Sequence, residues 1–192
     1  MPDTLRVATI IGSLRRESFS RKTATALAAV APHRLALETI EIGDLPLYNQ
    51  DLDEGEPPAA WARFRDAVRP CGAVLFVTPE YNRSIPGVLK NAIDVGSRPY
   101  GHSIWAKKPG AVVSVTPGAL GAFGANHHLR QAAVFLDIAM MPQPEAYLAG
   151  VGSWFAEDGS LQNDKARPFL TDFMRAFADW CDKLIEGPGE LA

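Results

Sequence analysis

Cysteine is nearly absent from the 192-residue sequence: Cys71 and Cys181 are its only two. Cys71 opens an apolar run and Cys181 follows Trp180 in a helical pattern, so buried thiols of a reducing compartment are expected rather than a disulfide framework. Cysteines and histidines do not cluster, which argues against a metal site. No apolar stretch approaches the ~18 residues that span a bilayer, so no membrane partner is expected. The opening MPDTLRVATIIGS carries Asp3 and Arg6 and lacks a basic start before a long apolar core. It reads as a first strand rather than a signal peptide, and a cytoplasmic protein is expected. Positive charge is not in excess either. The net charge of −3 offers no field for nucleic acid.

What is present is ordinary globular composition, 47% hydrophobic and 21% charged, enough for one domain with a substantial core over residues 1–192. Apolar runs alternate with helical stretches. LRVATII (5–11), AVLFVT (73–78) and GAVVSVT (110–116) are nearly unbroken and predict central parallel strands. LALETIEI (35–42) alternates and predicts a strand near a sheet edge, and a short fifth strand is expected within 144–150. Helices are predicted over 20–31, around Trp61 and Phe64, from Pro86 onward, and over 125–139, where Leu129, Ala133, Leu136 and Ala139 share a face. A long helix closes the chain from Asp164 to Glu186. The long loop 43–58 is expected either to pack against a neighbour or cover a site, or to be a flexible surface loop. Alternation of this kind predicts an α/β fold, a three-layer sandwich with helices on both faces of a parallel sheet. The chain is too short for an eight-unit barrel of about 250 residues. A five-stranded flavodoxin-like sheet of order 2-1-3-4-5 is therefore expected, with no internal repeat.

In such a sheet ligands bind at the carboxyl ends of the strands, near the point where strand order reverses. The loops after strands one, three and four meet there. The first is GSLRRESFSRK (12–22), where Gly12 allows a tight exit, Ser13, Ser18 and Ser20 offer hydroxyls, and Arg15 offers a forked cation at a helix start. A capped helix with solvated arginines fits the same stretch. It lacks G-x-x-x-x-G-K-[ST], because Glu17 stands at the second glycine, and it lacks G-x-G-x-x-G. A terminal monophosphate such as that of FMN suits it better than a diphosphate. The second loop, in TPEYNRSIPGVLKNAID (78–94), is stiffened by Pro79 and Pro86 and offers Tyr81 as a flat surface, with Ser84 expected near the helix cap. The third, TPGALGAFGA (116–125), bares backbone amides around Gly118, Gly121 and Gly124. A flexible connection would read the same way.

GSLRRESFSRK and PEYNRSIPGVLKNAID together strongly resemble the NADPH-dependent FMN reductase family, over nearly the whole chain from Leu5 to about Ile185. The resemblance implies a flavodoxin-like fold, bound FMN, and NADPH or NADH as co-substrate. It implies passage of hydride through FMN to a small-molecule acceptor such as a quinone, chromate, azo compound or flavin. The segment Ser13 to Ser20, with Leu14 and Phe19 inside it and Ser13, Arg15, Ser18 and Ser20 foremost, would hold the FMN phosphate. Glu80, Tyr81, Asn82 and Arg83 would line the isoalloxazine ring, with Pro79 setting the turn. Thr116 and the backbone around Gly118 and Gly121 would close its far edge. Family members commonly form homodimers or homotetramers in which a neighbouring subunit helps wall the site. Arg83 stands where several relatives carry an aromatic residue and is a candidate for substrate capture. His127 and His128 lie on the helix that faces a neighbouring subunit in some relatives.

The chemistry would belong to the cofactor, so no catalytic side chain is assigned. Adjacent histidines on a helix point apart, so joint metal ligation by His127 and His128 is not expected. Lys90 and Asp94 are expected as a helix-surface ion pair, Trp61 and Phe64 as core, and Asp51, Asp53, Glu54 and Glu56 as a solvated loop. A flavodoxin-type electron carrier is the competing reading, and the modest −3 charge and Arg15 argue against it. The insertion of the related long-loop quinone reductases is not seen.

Overall fold

The computed structural model describes residues 4–185. Parallel strands β1 (Leu5–Ile11), β2 (Leu35–Ile40), β3 (Ala73–Thr78) and β4 (Pro109–Val115) stand in the order β2-β1-β3-β4. The fifth position is filled by two short strands in succession. β5 (Ala139–Met140) pairs with the start of β4, and β6 (Ala146–Leu148) pairs with its end. The expected order 2-1-3-4-5 therefore holds, and the single fifth strand is corrected to two. Pro142 and Pro144 lie between the pieces, and proline donates no ladder hydrogen bond.

Helices α1 (Phe19–Val30), α2 (Ala59–Val68), α3 (Gly87–Gly96), α4 (Phe123–Phe135) and α5 (Ala166–Ile185) cover both faces. The two-residue period of the strands sorts the core. Val7, Leu75, Val77 and Val113 meet Leu27 of α1 and Phe173 and Phe177 of α5. Ala8, Ile10, Phe76 and Val112 meet Trp61 and Phe64 of α2, Leu89 of α3 and Leu129 of α4. α4 stops at Phe135, so Ala139 belongs to β5 rather than to the helical face; Asp137, with φ 56°, turns the chain between them. Of the predicted closing helix, Glu186 lies outside the described residues.

The loop 43–58 packs on α2 and α3 rather than over a site. Asn91 accepts from the Tyr48 amide at 2.8 Å and donates to the Leu45 and Pro46 carbonyls, and Trp61 Nε1 donates to Pro46 O at 2.9 Å. Asp53 corrects the solvated-loop expectation, because its carboxylate is buried against Arg65 at 2.7 Å. Asp51, Glu54 and Glu56 are exposed as expected. Register then does what the site needs: Ile11 pairs with Val77, Thr78 with Ser114, and Val115 with Leu148. The residues that follow β1, β3 and β4 therefore emerge side by side on one rim.

Candidate functional site

Three loops close a cleft of about 290 Å³ at that rim. From the first come Ser13, Arg15, Ser18, Phe19 and Ser20; from the second Pro79, Glu80 and Tyr81; from the third Val115, Thr116 and Pro117. A wider depression of about 470 Å³ lies along β2 and α2, but its charges are paired internally, Arg6 with Glu38 and Arg63 with Asp44.

Gly12 makes the first turn possible. A Cβ there would lie 2.7 Å from Thr78 Oγ1, so only glycine lets β1 leave the sheet so close to β3. Ser18 caps α1 and its hydroxyl accepts from Arg21 N–H at 3.2 Å. The amides of Phe19 and Ser20 precede the helical ladder, on residues that line the cleft. The first turn of α1 holds no acidic residue, so the positive end of its dipole is uncompensated. Glu17 just before it pairs with Lys22 at 3.0 Å. The hydrogen bond and charge of Lys22 hold the Glu17 carboxyl below the usual range. Arg15 lines the cleft and forms no ion pair among the described residues. Buried hydroxyls, free amides and a guanidinium form a donor set that suits a phosphate monoester.

The second loop is a tight hairpin. Tyr81 and Ser84 exchange both backbone hydrogen bonds at 3.0 Å around Asn82 (φ 51°) and Arg83 (φ 63°), an arrangement of the type I′ kind. Tyr81 is half-exposed, its ring at the cleft wall. Ser84 does not cap α3: the cap position is Pro86, and the Ser84 hydroxyl bonds His128 Nδ1 at 2.6 Å instead. In the third loop Gly118 N–H donates to Thr116 Oγ1 at 3.1 Å.

Not every expected residue reaches the cleft. Leu14 turns outward, toward Gly43; Asn82 and Arg83 form the hairpin tip behind Glu80 and Tyr81; Gly118 lies past the lining; and Gly121 is buried against Tyr147. Val115 and Pro117 line the cleft and were missed, although both flank Thr116 at a strand end. The two histidines do diverge. His127 Nε2 meets the Tyr147 hydroxyl at 2.8 Å while His128 meets Ser84. Burial and the hydrogen bond to Glu145 push the Tyr147 phenol up to about 12. Lys90 and Asp94 form the expected surface pair at 2.7 Å, and Trp61 and Phe64 are core. Among the described residues no group of three or more histidine, cysteine or acidic side chains could hold a metal. No described helix is long and apolar enough to cross a membrane.

A parallel sheet of this order, with its donor-rich cleft at the reversal point, defines a flavodoxin-like fold with a ligand site at the strand ends. The chain belongs to the NADPH-dependent FMN reductase family, whose model matches residues 5–152. It is 61% identical to a quinone reductase of Pseudomonas putida over 180 residues, covering 94% of this chain and 96% of that one. A 2-hydroxy-1,4-benzoquinone reductase of a Burkholderia species is 44% identical, over 92% of this chain and 96% of its own. Among solved structures, the NAD(P)H:(acceptor) oxidoreductase FerB of Paracoccus denitrificans superposes with a TM-score of 0.87 at 42% identity, covering 93% and 98% of the two chains. The protein is accordingly an FMN-dependent NAD(P)H oxidoreductase.

Proposed function

We propose that the three-loop cleft holds FMN and that the acceptor reduced at its expense is a quinone. The observation that carries the reading is the convergence, in one cleft, of an uncompensated helix N-terminus, buried serines, Arg15 and Tyr81. Ser13, Ser18, Ser20, Arg15 and the amides of Phe19 and Ser20 receive the phosphate. Pro79 and Tyr81 wall one side of the ring, with Glu80 between them, and Val115, Thr116 and Pro117 the other. When bound, FMN supplies the two-electron chemistry that couples oxidation of NADPH or NADH to reduction of the acceptor. The chain itself binds, orients and shields; no side chain in the cleft needs to move a proton at a fixed atom. The quinone assignment draws on the named activities of the Pseudomonas and Burkholderia relatives.

The described residues 4–185 form one domain in this reading, since both apolar layers pack on the same sheet. A homodimer or homotetramer is proposed on the exposed Phe123, Val134 and Phe135 of α4, apolar side chains suited to burial between copies. A cytoplasmic setting agrees with the two reduced, buried cysteines. Anaerobic mixing of the FMN-loaded protein with NADPH tests the function. The flavin's visible absorbance is expected to bleach, and addition of 1,4-benzoquinone to restore it. A spectrum that stays oxidised after addition of NADPH and, separately, of NADH refutes the enzyme reading and leaves an electron carrier.

A further inference from the structure

Helix α4 begins without a cap of its own. The residue before it, Ala122, has a left-handed backbone (φ 56°) and no side chain able to accept a hydrogen bond. First-turn amides need acceptors, supplied as a rule by Ser, Thr, Asp or Asn at the cap position. Here the acceptor arrives from the loop after β3. Glu80 Oε2 accepts from Ala125 N–H at 3.0 Å, at the third helical position, where a cap side chain ordinarily bonds. The other oxygen, Oε1, accepts from Arg83 Nη1 at 3.0 Å. The Glu80 side chain is only 12% exposed, against 72% for Arg83. A carboxylate so placed needs compensation, and the helix N-terminus and the guanidinium provide it.

Gly124 is an independent sign of the same arrangement. A Cβ at that position would lie 2.9 Å from Glu80 Oε2 and 2.9 Å from the Arg83 carbonyl oxygen. Bare backbone is therefore what admits the carboxylate and the hairpin tip to the start of α4. Glu80 is also flanked by Pro79 and Tyr81, and all three line the cleft.

We infer that Glu80 is a positioning residue: by capping α4 and gripping Arg83, its carboxylate fixes the hairpin 81–84 and so sets the angle at which Tyr81 faces the flavin. The inference rests on the cleft being the FMN site. It assigns Glu80 an anchoring role in place of a polar contact to the ring.

FMN titrations of the full-length apoprotein, followed by flavin fluorescence and by visible circular dichroism of the bound flavin, test it. Glu80→Ala is expected to weaken FMN binding about 5- to 30-fold, the loss of a helix cap transmitted to the site. Glu80→Gln keeps an oxygen for the Ala125 amide and is expected to fall between. Gly124→Ala, outside the cleft lining, is expected to reproduce the weakening and the altered dichroism. The double variant is expected to be no worse than the worse single one, because both break one contact. Gly124→Ala binding as wild type while Glu80→Ala does not would mean direct contact and overturn the inference. Wild-type affinity in Glu80→Ala would overturn it too, leaving the FMN site intact. Should Glu80→Ala not fold, unchanged affinity and dichroism in Glu80→Gln would overturn it. A wild-type protein that binds no FMN sinks the site assignment and this inference together.

Discussion

Arg65 carries more of the loop 43–58 than its place on α2 suggests. Two of its nitrogens donate to the Asp53 carboxylate at 2.8 and 2.7 Å, Nε donates to Val95 O at 2.9 Å, and the guanidinium lies 5.7 Å from the Trp61 ring centre. Both side chains of the pair are about nineteen-twentieths buried. Removing one partner of such a pair leaves a buried charge uncompensated, at about 3–5 kcal/mol. Asp53→Ala is accordingly expected to lower the melting temperature by roughly 10 °C, measured by calorimetry. A shift within about 2 °C would mean that Arg65 finds other partners. The cysteines give a second residue-scale prediction. Burial pushes the Cys181 thiol up to about 12 and raises that of Cys71. Thiolate is the reactive form, so at pH 8 neither is expected to react with a disulfide reagent until the protein is unfolded, when both should. Rapid reaction of one thiol in the native protein would contradict its burial.

Ser18 ties residue to element, because its hydroxyl caps the helix whose N-terminus faces the cleft. Ser18→Ala is expected to cost the apoprotein about 1 kcal/mol. It should also weaken FMN binding through loss of a phosphate contact, read by denaturant unfolding and by titration. Weakened folding with unchanged FMN affinity would confine Ser18 to capping. At this scale the sequence was most legible where one periodicity dominated. AVLFVT and LRVATII form strands as written because a mostly apolar, β-branched run of six or seven residues suits a strand buried on both faces. The split fifth strand was not legible, since pieces of two and three residues carry no period. Within the cleft, serine at a helix start and tyrosine after a buried strand signalled locally that they would stand at the rim. The roles of Asp53, Ser84 and Glu80 were hidden because their partners, Arg65, His128 and Ala125, are distant in the chain. Asn82 tolerates a left-handed backbone and hinted at the hairpin, whereas Arg83 gave no such hint.

The whole molecule is a sheet that brings three loops to one rim. A ligand that spans all three favours the folded state by mass action, about 2.7 kcal/mol at a hundredfold excess over its Kd. Saturating FMN is therefore expected to raise the melting temperature by roughly 5–10 °C, and no shift would argue against a folded-state site. The central claim is narrower: the phosphate of FMN is received by the start of α1. It is tested most directly by titrating the apoprotein with FMN and with riboflavin, which lacks that phosphate, alongside a Ser20→Asp variant that adds negative charge to the same turn. The account predicts saturable binding of one FMN per chain, riboflavin weaker by at least tenfold, about 1.4 kcal/mol, and little binding of FMN to Ser20→Asp. Equal affinity for FMN and riboflavin, or wild-type FMN affinity in Ser20→Asp, would contradict it.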